Sequence, residues 1–330
     1  MLKHANRGWF LSKNPDGMPV PSDFELRQIE IPELSSGEVL VASKYLSLDP
    51  YMRLRLKGDT SLVGTLMVGD VVGEVIESRD PSFVPGDVGM GPIGWQEYGV
   101  VRAGDLRRVD PDAAPISTSL GILGMPGVTA YFGLFEVGQP RAGDTVVVSA
   151  AAGAVGAVVG QLAKLSGCRV VGLAGSDEKV RYIVDELGFD AGINYKTEDV
   201  AARVRSACPD GIDVYWDNVG GALAATAVEW LALHGRVVIC GQISQYNAKA
   251  TSSQSVDIGS ILLSKRARME GFWVADFADR SAEALERLAS WIRQGKLIYR
   301  EDIVVGFEHT PVAFIKLLGG ANFGKQLVQL

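Results

Sequence analysis

Two hydrophobic patterns divide the chain. Up to about residue 121, short apolar or alternating runs are separated by glycine and proline, a pattern typical of strands joined by turns. The runs that predict strands here are 24–31, 38–48, 71–78 and 98–102. We therefore expect an all-β unit in this part, in the form of a compact or partly open barrel.

The pattern changes after Gly124. Pro126 suits the first turn of a helix, and apolar residues at helical spacing continue to Gly138. Beyond it, β-branched runs alternate with amphipathic segments, which predicts a parallel, doubly wound α/β sheet. The predicted strands are 145–149, 169–174, 191–195, 212–217, 235–240 and 268–274, and the predicted helices are 154–166, 177–187, 197–207 and 222–232. A further helix is expected at 281–294, and strands with a short helix at 312–318 are expected in 298–330.

A glycine-containing loop joins the first strand of this sheet to its first helix. It reads Ala-x-x-Gly-x-x-Gly and contains Gly153, Ala154, Val155 and Gly156. Glycines there let the backbone approach a ligand, and the free amides and partial positive charge of a helix N-terminus suit a pyrophosphate. The dinucleotide fingerprint is Gly-x-Gly-x-x-Gly, so a glycine-rich turn that binds nothing is the alternative. Gly160 is expected to let the helix pack close to the sheet.

The end of the second strand distinguishes between the two nicotinamide cofactors. NAD sites place an acidic residue there to hold the ribose hydroxyls, whereas this strand ends in Ala174-Gly175-Ser176. Ser176 is a suitable N-cap and Lys179 lies in the next helical turn, so a 2′-phosphate would meet a hydroxyl, a helix N-terminus and an ammonium group. We therefore predict NADPH. Alternatively, Asp177 and Glu178 bind a ribose or favour the helix dipole, and Lys179 is a solvated surface charge.

Composition and charge narrow the class of protein. The chain has 330 residues, which predicts two domains. A net charge of −7 argues against nucleic acid or an anionic membrane surface as the main partner. There is no apolar run of 18 residues and no signal-peptide pattern, so we expect no transmembrane helix. The widely spaced Cys168, Cys208 and Cys240 predict no disulfide, a reducing compartment and a cytoplasmic protein.

Motifs along essentially the whole chain resemble the zinc-independent branch of the medium-chain dehydrogenases/reductases. Within that branch, the chain is similar to the group of leukotriene B4 12-hydroxydehydrogenase/prostaglandin reductases, plant double-bond reductases and bacterial curcumin-reductase-like proteins. Leu48-Asp-Pro-Tyr-Met-Arg53 and Ile243-Ser-Gln-Tyr-Asn247 are specific to this group. The other segments that carry the resemblance are Gly124–Phe132, Ala150–Gly156, Gly172–Lys179, Asp217–Gly221, Cys240–Gln242 and Asn322–Lys325.

The resemblance implies a fold and an activity. The fold is a GroES-like β-barrel catalytic domain, expected at 1–121 plus 296–330, with a Rossmann nucleotide-binding domain inserted at 122–295. The activity is NADPH-dependent reduction of the C=C bond of an α,β-unsaturated ketone or aldehyde. A quinone oxidoreductase or a metal-free alcohol dehydrogenase on the same scaffold is the alternative enzyme. A non-catalytic NADPH-binding protein is the alternative from another class.

The resemblance also implies cofactor contacts. Gly153 to Gly156 would cradle the pyrophosphate, and Lys179 and Tyr195 would hold the 2′-phosphate. The residues implied around the ribose and nicotinamide are Asn218, Cys240, Gly241, Ile243, Tyr246, Phe272, Val274 and Asn322. Turn or packing roles are the alternatives for Tyr195, Asn218 and Asn322. We expect Cys240 to be a packed thiol and not a nucleophile, since no histidine is near it in the sequence.

Enone reduction also needs a proton donor. Hydride transfer to the β-carbon produces an enolate, whose charge requires a hydrogen-bond donor while the α-carbon gains a proton. We assign this role to Tyr51, because a phenol donates while its ring offers an apolar face; a pocket-wall residue is the alternative. Mammalian and plant relatives carry a tyrosine where Ser264 is the nearest match in this chain. The ribose hydroxyl and water therefore stay open as proton donors.

The inventory of ligands predicts no metal site. Zinc members of the superfamily use cysteine and histidine in the first domain, plus a four-cysteine lobe. Residues 1–121 contain no cysteine and only His4, and Val68-Gly69-Asp70-Val71 occupies the region where zinc members carry Gly-His-Glu. His234 and His309 lie elsewhere and are expected to be ordinary surface or loop residues.

The last predicted strand of the sheet, 268–274, would be an edge strand. Unpaired strand edges invite pairing with another chain, and the family resemblance also implies a homodimer. We therefore expect two copies of the chain to meet along this edge. A small-molecule enone or enal is the other expected partner.

Overall fold

The computed structural model describes residues 6–247 and 257–330. His4 lies outside these residues. Contacts divide the chain into two units, one formed by the residues up to Gly121 together with Glu301–Leu330, the other by Ile122–Arg300. The second boundary thus lies five residues beyond the expected position 295. Within the described residues, no helix is both long and apolar enough to cross a membrane.

The described strands and helices follow one another along both units. The strands are β1 (Asn6–Leu11), β2 (Phe24–Ile29), β3 (Glu38–Ser47), β4 (Val71–Ser78), β5 (Val88–Gly91), β6 (Tyr98–Arg102), β7 (Arg107–Val109), β8 (Thr145–Ser149), β9 (Arg169–Ala174), β10 (Ala191–Asn194), β11 (Ile212–Asp217), β12 (Leu231–Ile239), β13 (Arg268–Gly271), β14 (Glu301–Val305) and β15 (Lys325–Gln329). The α-helices are α1 (Tyr51–Leu56), α2 (Met125–Phe132), α3 (Gly156–Leu165), α4 (Asp177–Arg181), α5 (Val200–Ala207), α6 (Gly221–Glu229), α7 (Ile243–Tyr246), α8 (Ile258–Lys265), α9 (Ser281–Arg293) and α10 (Thr310–Leu318). Two π-helical segments lie at Gly133–Gly138 and Tyr182–Glu186, and a 3-10 helix of seven residues lies at Val274–Arg280.

The unit built from both ends of the chain is a β structure. Its main sheet has the order β14-β15-β3-β4-β5-β7, and β6 pairs with β3 outside this path. All pairs in it are antiparallel except β14 with β15. The two-stranded sheet of β1 and β2 is separate. The tail joins this sheet because β15 pairs with β3, which places Leu327 opposite Ser47.

The inserted unit is a six-stranded parallel sheet. Its order is β10-β9-β8-β11-β12-β13, which is the 3-2-1-4-5-6 order of a dinucleotide-binding fold. The central strand β8 is built from valines, and Val146, Val147 and Val148 are fully buried, as expected for a strand covered on both faces. The predicted doubly wound sheet is confirmed. The chain reverses its strand order between β8 and β11, and ligands of such sheets bind beyond the carboxyl ends of the strands at that point.

Several predicted elements are shorter than expected, and two of them show why. The 268–274 strand ends at Gly271, because Gly271 pairs with Ile239, the last residue of β12, and no partner remains for the next residues. The predicted helix 177–187 is α4 followed by a π-helical segment, in which the amide of Leu187 bonds to the carbonyl of Tyr182. The hydrophobic pattern did not predict helices α1 and α8.

Gly160 has a different neighbour from the one predicted. A Cβ added there would lie 1.8 Å from the Phe189 ring, in the segment that precedes β10. A Cβ added to Gly172 on β9 would lie 2.9 Å from the same ring. The two glycines therefore make room for one aromatic side chain beside the sheet.

Candidate functional site

The loop after β8 closes by its own backbone contacts. Ala150 has a φ of 49°, a left-handed conformation that costs an alanine about 1–2 kcal/mol. The amide of Gly153 donates to the Ala150 carbonyl at 2.9 Å. A Cβ on Gly156 would lie 2.4 Å from that carbonyl oxygen. Gly156 is thus required by the tightness of the turn, and α3 begins at this residue.

The turn after β9 gathers polar groups from two strands. The Ser176 hydroxyl caps α4 by accepting from the amide of Lys179 at 3.3 Å. The Tyr195 hydroxyl lies 2.7 Å from the position of a Cβ on Gly175, and Lys196 Cε lies 3.4 Å from it. Burial raises the pKa of Tyr195, which keeps the phenol protonated. Two lysines, two hydroxyls and the start of α4 therefore belong to the neighbouring turns after β9 and β10.

Lys196 is a candidate that sequence reasoning missed. It follows β10, which pairs with β9 in parallel register up to Asn194 opposite Ala174. The register brings the residues after β10 beside those after β9. A polar run at the end of a predicted third strand was the available signal, because that strand neighbours the second in this fold.

One of the two acidic residues of the same turn, Asp177, is hydrogen-bonded to the protein. Asp177 Oδ1 accepts from Asn194 Nδ2 at 2.6 Å. The sequence left open whether Asp177 binds a ribose. One of its carboxylate oxygens therefore already has a partner at the end of β10.

Asn218 lies at the reversal of strand order. Its Nδ2 donates to the Ser149 carbonyl at 2.7 Å, and its backbone amide donates to the Ser149 hydroxyl at 2.8 Å. Its Oδ1 accepts from the Trp216 indole at 3.0 Å. The side chain thus ties the carboxyl ends of β8 and β11 together.

The loop after β12 is fastened to the loop after β11. The amides of Cys240 and Gly241 donate to the Asp217 carbonyl, and the amide of Ile243 donates to the Asn218 carbonyl. The Tyr246 hydroxyl accepts from the Gln242 amide at 3.2 Å. This brings the predicted residues of 240–246 beside Asn218 in one ordered edge.

Cys240 has the character of a packed thiol. Burial, together with the Asp217 carboxylate, raises the pKa of the Cys240 thiol to about 12. A thiol that stays protonated near neutral pH is a poor nucleophile. This agrees with the role expected for it.

Phe272 and Val274 follow β13. The Phe272 ring lies edge-on to Trp216, with ring centroids 5.8 Å apart. A Cβ on Gly133 would lie 2.4 Å from either ring, so the π-helical segment that Gly133 begins lies against this aromatic pair. Val274 starts the 3-10 helix that follows.

The β unit contains Tyr51 beside a buried ion pair. Tyr51 begins α1, two residues after Asp49. Asp49 pairs with Lys325 at 2.6 Å and accepts from the Ser47 hydroxyl, and Lys325 also donates to the Leu48 carbonyl at 2.9 Å. Burial, with the carboxylates of Asp70 and Asp49, raises the pKa of Tyr51. The phenol therefore stays protonated and available as a donor.

Asn322 and Ser264 have local partners. Asn322 Nδ2 donates to the Gly324 carbonyl at 2.8 Å, in the turn before β15. Ser264 lies on α8, where its exposed hydroxyl donates to the Ile261 carbonyl of the same helix at 3.0 Å. Among the described residues, no three histidine, cysteine or acidic side chains are grouped so as to hold a metal ion.

Two family models match the chain. Residues 7–109 match the N-terminal domain of oxidoreductases, and residues 154–290 match the zinc-binding dehydrogenase model. The chain is 42% identical to the NADPH-dependent curcumin reductase of Escherichia coli, over 99% of this chain and 98% of that protein. It is 45% identical to prostaglandin reductase 1 of Oryctolagus cuniculus, over 97% of this chain and 92% of that protein.

A solved structure extends the likeness to three dimensions. The crystal structure of CurA from Vibrio vulnificus in complex with NADPH superposes with a TM-score of 0.92, at 41% identity and 98% coverage of each chain. The β unit and the parallel sheet together are those of a medium-chain dehydrogenase/reductase. More closely, the chain belongs to the zinc-independent double-bond reductase group of that superfamily.

Proposed function

We propose that this chain uses NADPH to reduce the C=C bond of α,β-unsaturated ketones and aldehydes, without a metal. The observation that carries the proposal is the similarity, along nearly the full chain, to relatives named as a curcumin reductase that depends on NADPH and as a prostaglandin reductase. When bound, NADPH would supply the hydride that the β-carbon receives. The chain's own residues would bind the cofactor, orient the enone and donate the proton.

The residues of the parallel-sheet unit fit such a cofactor. We assign the pyrophosphate to Gly153–Gly156 at the start of α3, where helix-end amides suit it. We assign the 2′-phosphate to the turn after β9, through Ser176, Lys179, Tyr195 and, in addition, Lys196. Support comes from the cations of this turn and from the hydrogen bond that already occupies its acid, Asp177.

The remaining cofactor contacts are proposed from the family resemblance. They are Asn218, Cys240, Gly241, Ile243, Tyr246, Phe272, Val274 and Asn322. The hydrogen bonds among the loops after β11 and β12 support a preformed edge for the ribose and nicotinamide. The bonds of Asn218 and Asn322 to nearby carbonyls favour roles in shaping that edge and the turn before β15.

Tyr51 is the proposed hydrogen-bond donor to the enolate oxygen and the proposed source of the proton that the α-carbon gains. Support comes from the protonated state that burial and two nearby carboxylates impose on its phenol. We expect Tyr51→Phe to lower kcat about a hundredfold, in the range measured for general acids, with the Kd of NADPH unchanged. Unchanged turnover would instead make Tyr51 a wall residue.

The activity itself is tested by a substrate screen. NADPH oxidation is followed across enals, enones and quinones with the full chain. Faster turnover of enals and enones supports the proposal, and faster turnover of quinones overturns it in favour of a quinone oxidoreductase. Binding of NADPH with no oxidation by any member of the panel identifies a non-catalytic protein.

The chain is also proposed to form a homodimer along β13. This strand pairs with β12 alone among the described strands, and nearby Leu263 and Trp273 are 80% and 61% exposed. We expect a dimer in sedimentation at micromolar concentration and dissociation by Trp273→Lys. Val305→Lys, at a residue that is 70% exposed but lies on β14 of the other unit, is the control. A monomeric wild-type chain contradicts this proposal.

The three free cysteines support the proposed cytoplasmic location.

A further inference from the structure

Asn194 donates a hydrogen bond to the Asp177 carboxylate, in the turn after β9. It is the last residue of β10 and only 4% exposed. Its Oδ1 accepts from the backbone amide of Lys196 at 3.1 Å. Because that bond requires the amide oxygen, the NH2 group must point the other way, and it donates to Asp177 Oδ1 at 2.6 Å. The hydrogen-bond pattern thus leaves one assignment of the amide.

The position of Asp177 makes this bond consequential. An acid just beyond the second strand of such a sheet accepts bonds from the ribose hydroxyls of NAD. The same carboxylate would repel a phosphate on the ribose, since both are anions. Asp177 is exposed and lies between the cap Ser176 and Lys179. Its side chain therefore belongs to the turn proposed for the 2′-phosphate.

The last residue of β10 and the residue after it both contact this turn. Asn194 bonds to Asp177, while the Tyr195 hydroxyl lies against Gly175. The backbone amide of Asn194 donates to Glu198 Oε1 at 2.7 Å, which anchors Asn194 itself. The donor that faces Asp177 is consequently fixed from both its backbone and its side chain.

We propose that Asn194 determines cofactor specificity by keeping the Asp177 carboxylate in a hydrogen bond at the end of β10, so that this oxygen does not accept from a ribose hydroxyl and the turn accepts the 2′-phosphate of NADPH. Asn194 does not touch the cofactor in this proposal and acts as a positioning residue. The inference rests on the proposed function, in that it places the 2′-phosphate at the turn after β9. It adds that the turn accepts the phosphorylated nucleotide because the Asp177 carboxylate is already hydrogen-bonded to Asn194.

The test is a double-mutant cycle on nucleotide binding. Dissociation constants of NADPH and NADH are measured by calorimetry for Asn194→Leu, Asp177→Ala and the double variant of the full chain. We expect Asn194→Leu to weaken NADPH binding about tenfold, equivalent to about 1.4 kcal/mol, and to leave NADH binding unchanged or tighter. Asp177→Ala is expected to bind NADPH at least as tightly as the wild type. The double variant is expected to recover wild-type NADPH affinity, since coupled residues give non-additive effects.

A purely structural role for Asn194 predicts other results. Glu198→Ala is the matched control, because it removes the bond to the Asn194 backbone amide and leaves the side-chain bond to Asp177 in place; we expect it to leave the Kd of NADPH unchanged, whereas a purely structural role predicts that it weakens binding as much as Asn194→Leu. The proposal is overturned if the double variant stays as weak as Asn194→Leu, or if NADPH and NADH weaken equally. Asn194→Ser, a smaller change that also lacks the amide donor, replaces the leucine variant if the latter does not fold. A wild-type chain that binds neither nucleotide would refute the proposed function. If the wild type binds NADPH, the ratio of NADPH to NADH affinity in the variants tests the role of Asn194 alone.

Discussion

Each of the two units has an aspartate in a short hydrogen bond, and the two aspartates differ in burial. In the β unit, Asp49 and Lys325 form an ion pair whose side chains are 7% and 4% exposed. In the parallel-sheet unit, Asp177 is exposed and bonds to the neutral amide of Asn194. The first pair is sealed from solvent, while the second joins a buried amide to an exposed residue.

Because of this difference in burial, we expect the Asp49 pair to affect folding stability and the Asp177 bond to affect nucleotide binding. A buried charge that loses its partner is left uncompensated in a medium of low dielectric constant, so its removal costs folding energy. An exposed carboxylate that loses a neutral partner is solvated by water and costs little. Variants at Lys325 should therefore change unfolding, and variants around Asp177 should change nucleotide binding.

The largest expected effect is that of Lys325→Met. Asp49 would stay buried with no cation, and we expect a loss of about 3–5 kcal/mol in the free energy of unfolding. Lys316→Met is the matched control, because Lys316 also pairs with an aspartate of the same unit, Asp302, but is 36% exposed. There we expect a loss of about 1 kcal/mol or less. Denaturant unfolding measures both, and equal losses would contradict the contrast.

Removing the cations of the turn after β9 should have a smaller effect, confined to binding. We expect Lys179→Ala and Lys196→Ala each to raise the Kd of NADPH about tenfold, as loss of one charge-assisted hydrogen bond would. The Kd of NADH and the unfolding midpoint should not change. Lys164→Ala is the control, since Lys164 pairs with Asp190 elsewhere in the unit. Equal weakening of NADH would remove both lysines from the phosphate site.

The strands of the parallel sheet could be predicted closely. The predicted 145–149, 169–174 and 212–217 coincide with β8, β9 and β11, because continuous apolar runs flanked by glycine have few other interpretations. The end of β13 could not be predicted. It depends on where its partner β12 ends, and that is a property of the folded sheet.

The sequence predicted which residues form the candidate site better than it predicted their hydrogen-bond partners. The motif indicated Gly156 and the turn chemistry indicated Ser176, since both follow from local backbone requirements. The partners of Asp49 and Asp177 are Lys325 and Asn194, distant in sequence, and the pairings β3–β15 and β9–β10 bring them near. A motif shows which residues are unusual, whereas strand pairing decides which groups bond to them.

The smallest expected effect concerns Asp70, which lies near the buried pair. Burial, together with the Asp49 charge, raises the pKa of Asp70, and Lys325 opposes this. A carboxyl with a raised pKa binds its proton more tightly in the folded state, so its stabilising contribution is complete below its unfolded pKa and is lost as pH rises through the folded value. Asp70→Asn cannot ionise. We therefore expect it to unfold at a higher denaturant concentration than the wild type at pH 8, with the difference shrinking as the pH falls to about 4.

Asp87 provides a control of opposite sign. Its side chain accepts from Arg108 and from the Val84 amide, and these bonds lower the pKa of Asp87. Its stabilising contribution is present above the unfolded pKa and is lost as pH falls through the folded value. Asp87→Asn should therefore be less stable than the wild type at pH 8, with that difference also shrinking in acid. If Asp70→Asn is instead less stable than the wild type at pH 8, as expected for Asp87→Asn, the carboxyl of Asp70 is stabilised as an anion, and the charge balance described around Lys325 is wrong.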